Sequence, residues 1–273
     1  MRRLFPTPTG PSSPPAATAP PPGESPRPPD GPDSLDDLAD AYAYPATTGA
    51  GRPWLRANMV ASLDGAAHHQ GRSEPLSCAA DMRLFGVLRA LADVIIVGAE
   101  TVRREGYGPA RARKAFAARR AALGQSPAPV MAVVSASLDL DFTGPLFTRP
   151  VVPTILLTGA RAPADRLLAA RQHAEVVLAG EGTTADAAQV VRALVDRGHT
   201  RLLTEGGPRL LAQFASADVL DELCLSVSPL IASGDSARIT NGPDIAEPHR
   251  FTLSGLLEDD GYLFTRYVRA GRR

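Results

Sequence analysis

Of the 29 basic residues in this 273-residue chain only Lys114 is a lysine, and 29 acidic residues balance the set to a formal charge of zero. A neutral balance leaves no electrostatic footprint for nucleic acid or an anionic membrane surface. Cysteine is almost as scarce. Cys78 and Cys224 are the only two, which excludes a disulfide framework, and they lack the spacing of a zinc site, so no metal is expected. No apolar run approaches the length needed to span a bilayer. Arg2 and Arg3 open the chain as an export signal can, but proline-rich sequence follows them in place of an apolar core. The expected compartment is the cytoplasm. The G-x-G-x-x-G fingerprint and the P-loop lysine pattern are both missing, so a standard Rossmann domain is not supported.

What is present is unevenly distributed. Residues 1–33 hold 12 of the 26 prolines, a composition that buries too little apolar surface to offset chain entropy. A disordered arm is expected there, whose deletion leaves stability and activity unchanged, followed by one domain over residues 34–273. A short amphipathic segment at 35–44 leads into it. Apolar runs at 54–62, 94–97, 130–135, 154–158, 176–179 and 201–204 read as strands, several of them buried on both faces, as in a parallel sheet covered by helices. Helix signals lie between. Residues 78–91, capped by Ser77, place Leu84, Leu88 and Leu91 on one side, and Thr183 with Asp186 forms a capping pattern ahead of Val190, Val191 and Leu194. Toward the end the pattern changes. Leu223, Leu225 and Val227 alternate with Cys224, Ser226 and Ser228, so one face of that strand is expected to seek burial. Residues 251–258 and 262–268 flank Asp259-Asp260-Gly261, a hairpin signal. The fold class is α/β, a mostly parallel sheet flanked by helices with a C-terminal antiparallel hairpin.

The chemistry gathers where strands end in glycine. Thr204-Glu205-Gly206-Gly207-Pro208 follows one buried strand and opens a helix. Glycines let a backbone approach a ligand closely, Pro208 suits a first helical turn, and free helix N–H groups face the spot. A second strand ends in Gly98, followed by Ala99-Glu100-Thr101. Each alone is as well read as an ordinary strand-to-helix turn. Together they can clamp one pyrophosphate.

Ala61-Ser62-Leu63-Asp64-Gly65, Val97-Gly98-Ala99-Glu100-Thr101-Val102 and Glu205-Gly206-Gly207-Pro208, in that order and spacing, resemble the reductase domain of the bifunctional riboflavin-biosynthesis deaminase/reductases. The resemblance spans roughly residues 53–270. It implies a dihydrofolate-reductase-like fold and an NADPH-dependent reduction of the ribosylamino group of a diaminopyrimidinone phosphate. The P-C-x-x-C motif of the family's deaminase is absent. Carried over by position, the resemblance gives the cofactor Ala61, Gly98, Thr101, Gly206 and Gly207, with Ser135 and Ser137 at the adenosine 2′-phosphate. It gives the substrate Asn58, Ser73, Arg89 and Glu205, with Arg89 facing a substrate phosphate. Asn58 replaces a lysine of bifunctional members, Ala136 an arginine of many relatives, and Glu105 an aspartate, while Gly106 and Tyr107 form an insertion. Asp64 or Glu105 orients the substrate or relays a proton, and the residues alone do not choose between them.

Two rivals stand beside this reading. One is a pterin or dihydrofolate reductase of the same fold, with Asp81 in the first turn of its helix as the ring's carboxylate partner. The other is a nucleotide-binding protein without catalysis. Arginines over 103–120 read as a solvated helical face, and His68 and His69 as exposed loop histidines. Family resemblance also implies a homodimer, and the uncovered antiparallel edge of the hairpin at 251–268, with Leu253, Leu256, Leu263 and Phe264, is expected in its interface. Because the glycine turns and not a metal cluster supply the donors, NADPH should bind with no added metal. A chelator should leave that affinity unchanged in a fluorescence titration, and loss of binding would overturn the assignment.

Overall fold

The apolar runs fold as the strands their composition favours. The computed structural model describes residues 1–6, 34–48 and 52–271. Its strands are β1 (Arg2–Phe5), β2 (Trp54–Ala61), β3 (Val94–Gly98), β4 (Val130–Val134), β5 (Ile155–Thr158), β6 (Glu175–Leu178), β7 (Arg201–Thr204), β8 (Glu222–Val227), β9 (Phe251–Asp259) and β10 (Tyr262–Arg269). The helices are α1 (Leu35–Ala41), α2 (Ala79–Leu91), α3 (Ala99–Glu105), α4 (Ala117–Ala122), α5 (Pro145–Thr148), α6 (Ala164–Ala170), α7 (Ala187–Val195) and α8 (Pro208–Ser216). All the strands join one sheet in the order β1-β9-β10-β8-β2-β7-β3-β4-β5-β6. From β8 to β6 every pairing is parallel, while β10, β9 and β1 add antiparallel strands. The expected fold class is therefore what the chain adopts, and Asp260 and Gly261, both at positive φ, make the hairpin turn.

Two buried layers cover the sheet. On one side Leu84, Val87, Leu88 and Leu91 of α2 pack with Ile95, Val97, Met131 and Val133. On the other Val190, Leu194, Leu211 and Phe214 of α7 and α8 pack with Leu55, Ile96, Ala132 and Leu157. Alternate residues of β3 and β4 thus face opposite layers, which is why those strands read as unbroken apolar runs.

Several sequence expectations need correction. The proline-rich arm does not extend to the chain's first residues: Arg2–Phe5 pair with β9, Arg2 opposite Glu258. Prolines begin only at Pro6, so these residues keep their N–H donors for the open edge of β9. Residues 7–33 lie outside the described residues. Cys78, not Ser77, caps α2, its Sγ accepting the Asp81 N–H at 3.4 Å. Asp186 is itself the cap of α7, accepting from the Gln189 N–H at 2.9 Å. The arginine-rich stretch 103–120 is not one helical face. It crosses α3, an extended run and α4, and Arg120 is buried on the carbonyls of Ala90 and Ala92.

β8 inverts its expected pattern. Its buried positions are Glu222, Cys224 and Ser226, while Leu223, Leu225 and Val227 stay half-buried. The reason is charge pairing. The Glu222 carboxylate accepts from Trp54 Nε1 at 2.8 Å, Arg56 Nε at 2.8 Å and Arg266 Nε at 2.8 Å. Arg56 and Glu222 are fully buried, and the Tyr44 ring lies 4.2 Å from the Arg56 guanidinium carbon. Arg266 also donates to the Ala41 carbonyl at 2.8 Å, tying the end of α1 to the sheet.

Burial alone would raise the Glu222 carboxyl, but Arg56 and Arg266 outweigh it and hold its pKa down to about 2. A depressed pKa contributes stability that is present above the ordinary carboxylate range and is lost as pH falls toward 2. Glu222→Gln should lower unfolding free energy by roughly 3–5 kcal/mol at pH 7, because it strands a buried guanidinium. Urea melts at pH 7, 4 and 3 should show the wild type converging on the variant as pH drops, and parallel curves would reject this account. Removing residues 1–6 should lower the melting temperature, since β9 loses its edge partner.

Candidate active site

Parallel strands put all their carboxyl ends on one rim, where ligands of open α/β sheets bind. Ala61 ends β2, Gly98 ends β3, Ser135 follows β4 and Glu205 follows β7. These four strands are neighbours in the order β2-β7-β3-β4, so residues up to 149 positions apart (Asn58 to Gly207) share one crevice.

The two glycine turns touch. The Gly98 N–H donates to the Gly206 carbonyl at 2.8 Å, and a Cβ on Gly98 would lie 3.6 Å from the Gly207 nitrogen. Gly206 has φ +81° and the Gly206–Gly207 peptide is cis. A Cβ on Gly207 would stand 2.6 Å from Thr101 Oγ1, so Gly98, Thr101, Gly206 and Gly207 form one cradle. Gly207 is the N-cap of α8 and offers no capping side chain, which leaves the first N–H groups of that helix for a ligand. A pyrophosphate fits such a cradle. Ser137, after β4, is exposed, whereas Ser135 is buried with its Oγ accepting the Leu138 N–H at 2.9 Å.

A cavity of about 700 Å³ adjoins the cradle and is walled by Asn58, Ser73, Asp81, Glu105, Tyr107 and Glu205, among others. All four residues assigned to substrate by resemblance line it. Glu105, the last residue of α3, accepts the Ser73 N–H on Oε1 at 2.9 Å and so ties two walls together. Glu205 is engaged on both oxygens. Arg89 Nε and NH2 donate to it at 2.7 Å each, and the Tyr107 hydroxyl donates at 2.7 Å. Burial and the Glu205 carboxylate push the Tyr107 phenol well above its ordinary value, so it stays protonated and keeps donating.

Asp64 stands elsewhere. It is exposed and accepts from the Ser62 hydroxyl and from the backbone N–H groups of Ala232 at 3.1 Å and Ser233 at 2.7 Å. Those donors, the Ser62 hydroxyl first, lower its pKa to about 2. Its role is to clamp the 62–66 turn to the loop after β8. Asp81, the candidate pterin-ring carboxylate in the first turn of α2, is buried in the cavity wall. Its oxygens accept from Ser77 Oγ at 2.6 Å and Ser226 Oγ at 2.5 Å. Tyr107 and Ser226 were missed as functional candidates, and only the Gly106-Tyr107 insertion hinted at the first. Among the described residues no cluster of His, Cys, Asp or Glu could hold a metal ion.

A parallel sheet carries the glycine cradle at its rim and a carboxylate-lined cavity beside it, and because the relatives it matches are named reductases the chain is an oxidoreductase of α/β fold. Residues 53–261 match the family model described as the RibD C-terminal domain, and the chain belongs to that family. It is 28% identical over 193 residues to a 2,5-diamino-6-ribosylamino-4(3H)-pyrimidinone 5′-phosphate reductase of Archaeoglobus fulgidus, covering 70% of this chain and 87% of that one. To the reductase of the same description from Methanothermobacter thermautotrophicus it is 30% identical over 199 residues, covering 72% and 87%. A solved pyrimidine reductase-like protein from Corynebacterium diphtheriae superposes with TM-score 0.76 at 29% identity, covering 86% of this chain and 99% of that one.

Asp64→Asn weakens three acceptor contacts at once. Hydrogen exchange at the Ala232 and Ser233 amides should speed up by about 10-fold or more, in line with charge-assisted bonds. Unchanged exchange would mean the loop after β8 is held some other way.

Proposed function

We propose that this chain is an NADPH-dependent reductase that transfers a hydride to the ribosylamino group of a diaminopyrimidinone phosphate. The observation that carries the reading is the contact of Gly98 with Gly206 and Gly207 at the edge of a carboxylate-lined cavity. Relatives named for that reduction support the substrate. A reduced nicotinamide, when bound, supplies the hydride. Gly98, Thr101, Gly206 and Gly207 hold its pyrophosphate, Ala61 lines the ring, and Ser135 and Ser137 lie toward the adenosine end. Asn58 orients a carbonyl or hydroxyl of the substrate through its amide. Met82 and Phe85 add apolar surface to the cavity wall. Of Asp64 and Glu105 only Glu105 lines the cavity, which supports it over Asp64 as a group that orients the substrate or moves a proton there. Ser73, Arg89 and Glu205 complete the substrate wall.

A second reading draws on Asp81. A buried carboxylate in the cavity wall, with two hydroxyls beside it, also suits the amino-substituted ring of a pterin. NADPH oxidation measured first with the ribosylaminopyrimidinone phosphate and then with dihydrofolate separates the two. NADH run in parallel tests the cofactor preference. Gly207→Val should abolish measurable cofactor binding with the fold intact, because its side chain meets Thr101 Oγ1 and fills the cradle. Wild-type affinity in that variant would move the phosphate site elsewhere.

The reading extends to a cytoplasmic homodimer that uses the hairpin. No helix among the described residues is long and apolar enough to cross a membrane. Phe264 does not take part in the interface, since it is 1% exposed and packs in the subunit core. The facing candidates are Leu225, Leu256 and Leu263, half-buried on the opposite face of β8, β9 and β10. Light scattering should give twice the 28.6 kDa chain mass, and Leu256→Asp should halve it. A dimer that survives that change is built from another surface.

A further inference from the structure

Asp81 is a buried carboxylate in the cavity wall, 7% exposed, and among the described residues no ion pair engages it. The buried carboxylates Glu205 and Glu222 are each held by arginine. A place in the first turn of α2 suits an acid through the helix dipole, but it does not account for an acid set into a cavity. Asp81 accepts one hydroxyl on each oxygen, Ser226 on Oδ1 and Ser77 on Oδ2. An ionised carboxylate offers about four acceptor sites, so roughly one on each oxygen stays open. Other acids that line the cavity are engaged or exposed. Arg89 and Tyr107 fill Glu205, Arg72 pairs with exposed Glu74, and Glu105 takes the Ser73 N–H.

The strand beneath adds a donor. Ser226, which holds Asp81, pairs in register with Val60, and Asn58 lies two residues before Val60 on the same face of β2. Asn58, Val60, Ser77 and Asp81 all line the cavity. The wall thus sets a carboxylate that accepts near an amide that can donate. A planar ring with two adjacent N–H donors and a carbonyl matches it. In a 2-aminopyrimidin-4-one the ring N–H at position 3 and the 2-amino group donate side by side, and the 4-carbonyl accepts. In the deaminated ring a second carbonyl replaces the amino group. Its lone pairs would face the carboxylate and leave both acceptors buried without a partner.

We propose that Asp81 is the residue that selects a 2-amino pyrimidinone ring over its deaminated, 2-oxo counterpart. The proposal rests on the pyrimidine reading above for its substrate and adds the group that reads the ring. Ser77 and Ser226 are positioning residues, which aim the carboxylate through their hydroxyls.

Free bases test it without cofactor or turnover. 2,5,6-Triaminopyrimidin-4-one and 5,6-diaminouracil, which differ at the 2-position, are titrated by ligand-observed NMR into the full chain and into Asp81→Asn, Asp81→Ser and Glu105→Gln. The wild type should bind the triamino base at least about 10-fold more tightly, the scale of a charge-assisted bond exchanged for an unpaired acceptor. Asp81→Asn, whose amide both donates and accepts, should erase or reverse that preference. Asp81→Ser gives the same answer should the first variant fail to fold. A side chain that only ties α2 to β8 would change both affinities together, and an unchanged ratio in these variants overturns the proposal. A wild type that binds the two bases equally overturns it with no variant needed. A ratio that collapses in Glu105→Gln and survives at Asp81 hands the selection to Glu105 and overturns it too. Kinetics then carry the test to turnover. In Asp81→Asn, KM for the ribosylamino-diaminopyrimidinone phosphate should rise at least about 10-fold, while KM for its deaminated counterpart does not. If the wild type reduces neither compound, the proposed function fails while the free bases still decide the role of Asp81.

Discussion

The carboxylate of Glu222 sits where the two halves of the sheet meet. β8 is the last strand of the parallel half and the first partner of the antiparallel hairpin, and Glu222 is its first residue. Arg56 reaches it from β2 on one side and Arg266 from β10 on the other. Such a cluster is costly to desolvate and tolerates little displacement, because every charge in it depends on the others. A slip of one residue in β8 would carry Glu222 to the opposite face and leave two arginines unmatched. The charge cluster therefore sets the register in which Arg56 faces Glu222 and Ala61 faces Val227. Through Arg266 it also holds the end of α1 against the sheet.

Register at that end decides geometry at the other. With β2, β7, β3 and β4 aligned in parallel, their carboxyl ends form one rim, and the glycine turns after β3 and β7 come into contact there. The cradle is built from backbone. Its shape needs glycine at Gly206, which has φ +81°, and at Gly207, where a Cβ would collide with Thr101 Oγ1. The rigid part of the site is thus decided by strand pairing, while the cavity beside it is shaped by side chains from α2, α3 and the turn after β7.

Charge at the cavity is largely spoken for. Arg89 and Tyr107 occupy Glu205, Ser73 holds Glu105, and two serines hold Asp81. These pairings keep the wall in place before any ligand arrives, which favours catalysis by positioning. Asp64, which shares the Ala61 to Gly65 motif, serves the same end from outside by fixing a loop.

Much of this was legible in the residues alone. Unbroken apolar runs from Val94 and Val130 announced strands buried on both faces, Asp260-Gly261 announced the hairpin, and the glycines at Gly98 and Gly206-Gly207 announced strand-to-helix turns, because each depends on local conformation or periodicity. What stayed hidden depends on partners far along the chain. Polar Glu222, Cys224 and Ser226 turn inward because Arg56, Arg266 and Asp81 wait there, against the pattern that hydrophobicity suggests for β8. Arg2–Phe5 become a strand because β9 leaves an edge open. Whether a carboxylate clamps a loop, as Asp64 does, or lines a cavity, as Glu105 and Asp81 do, is settled by which donors the folded chain brings within hydrogen-bond reach, and spacing along a sequence carries no record of that distance.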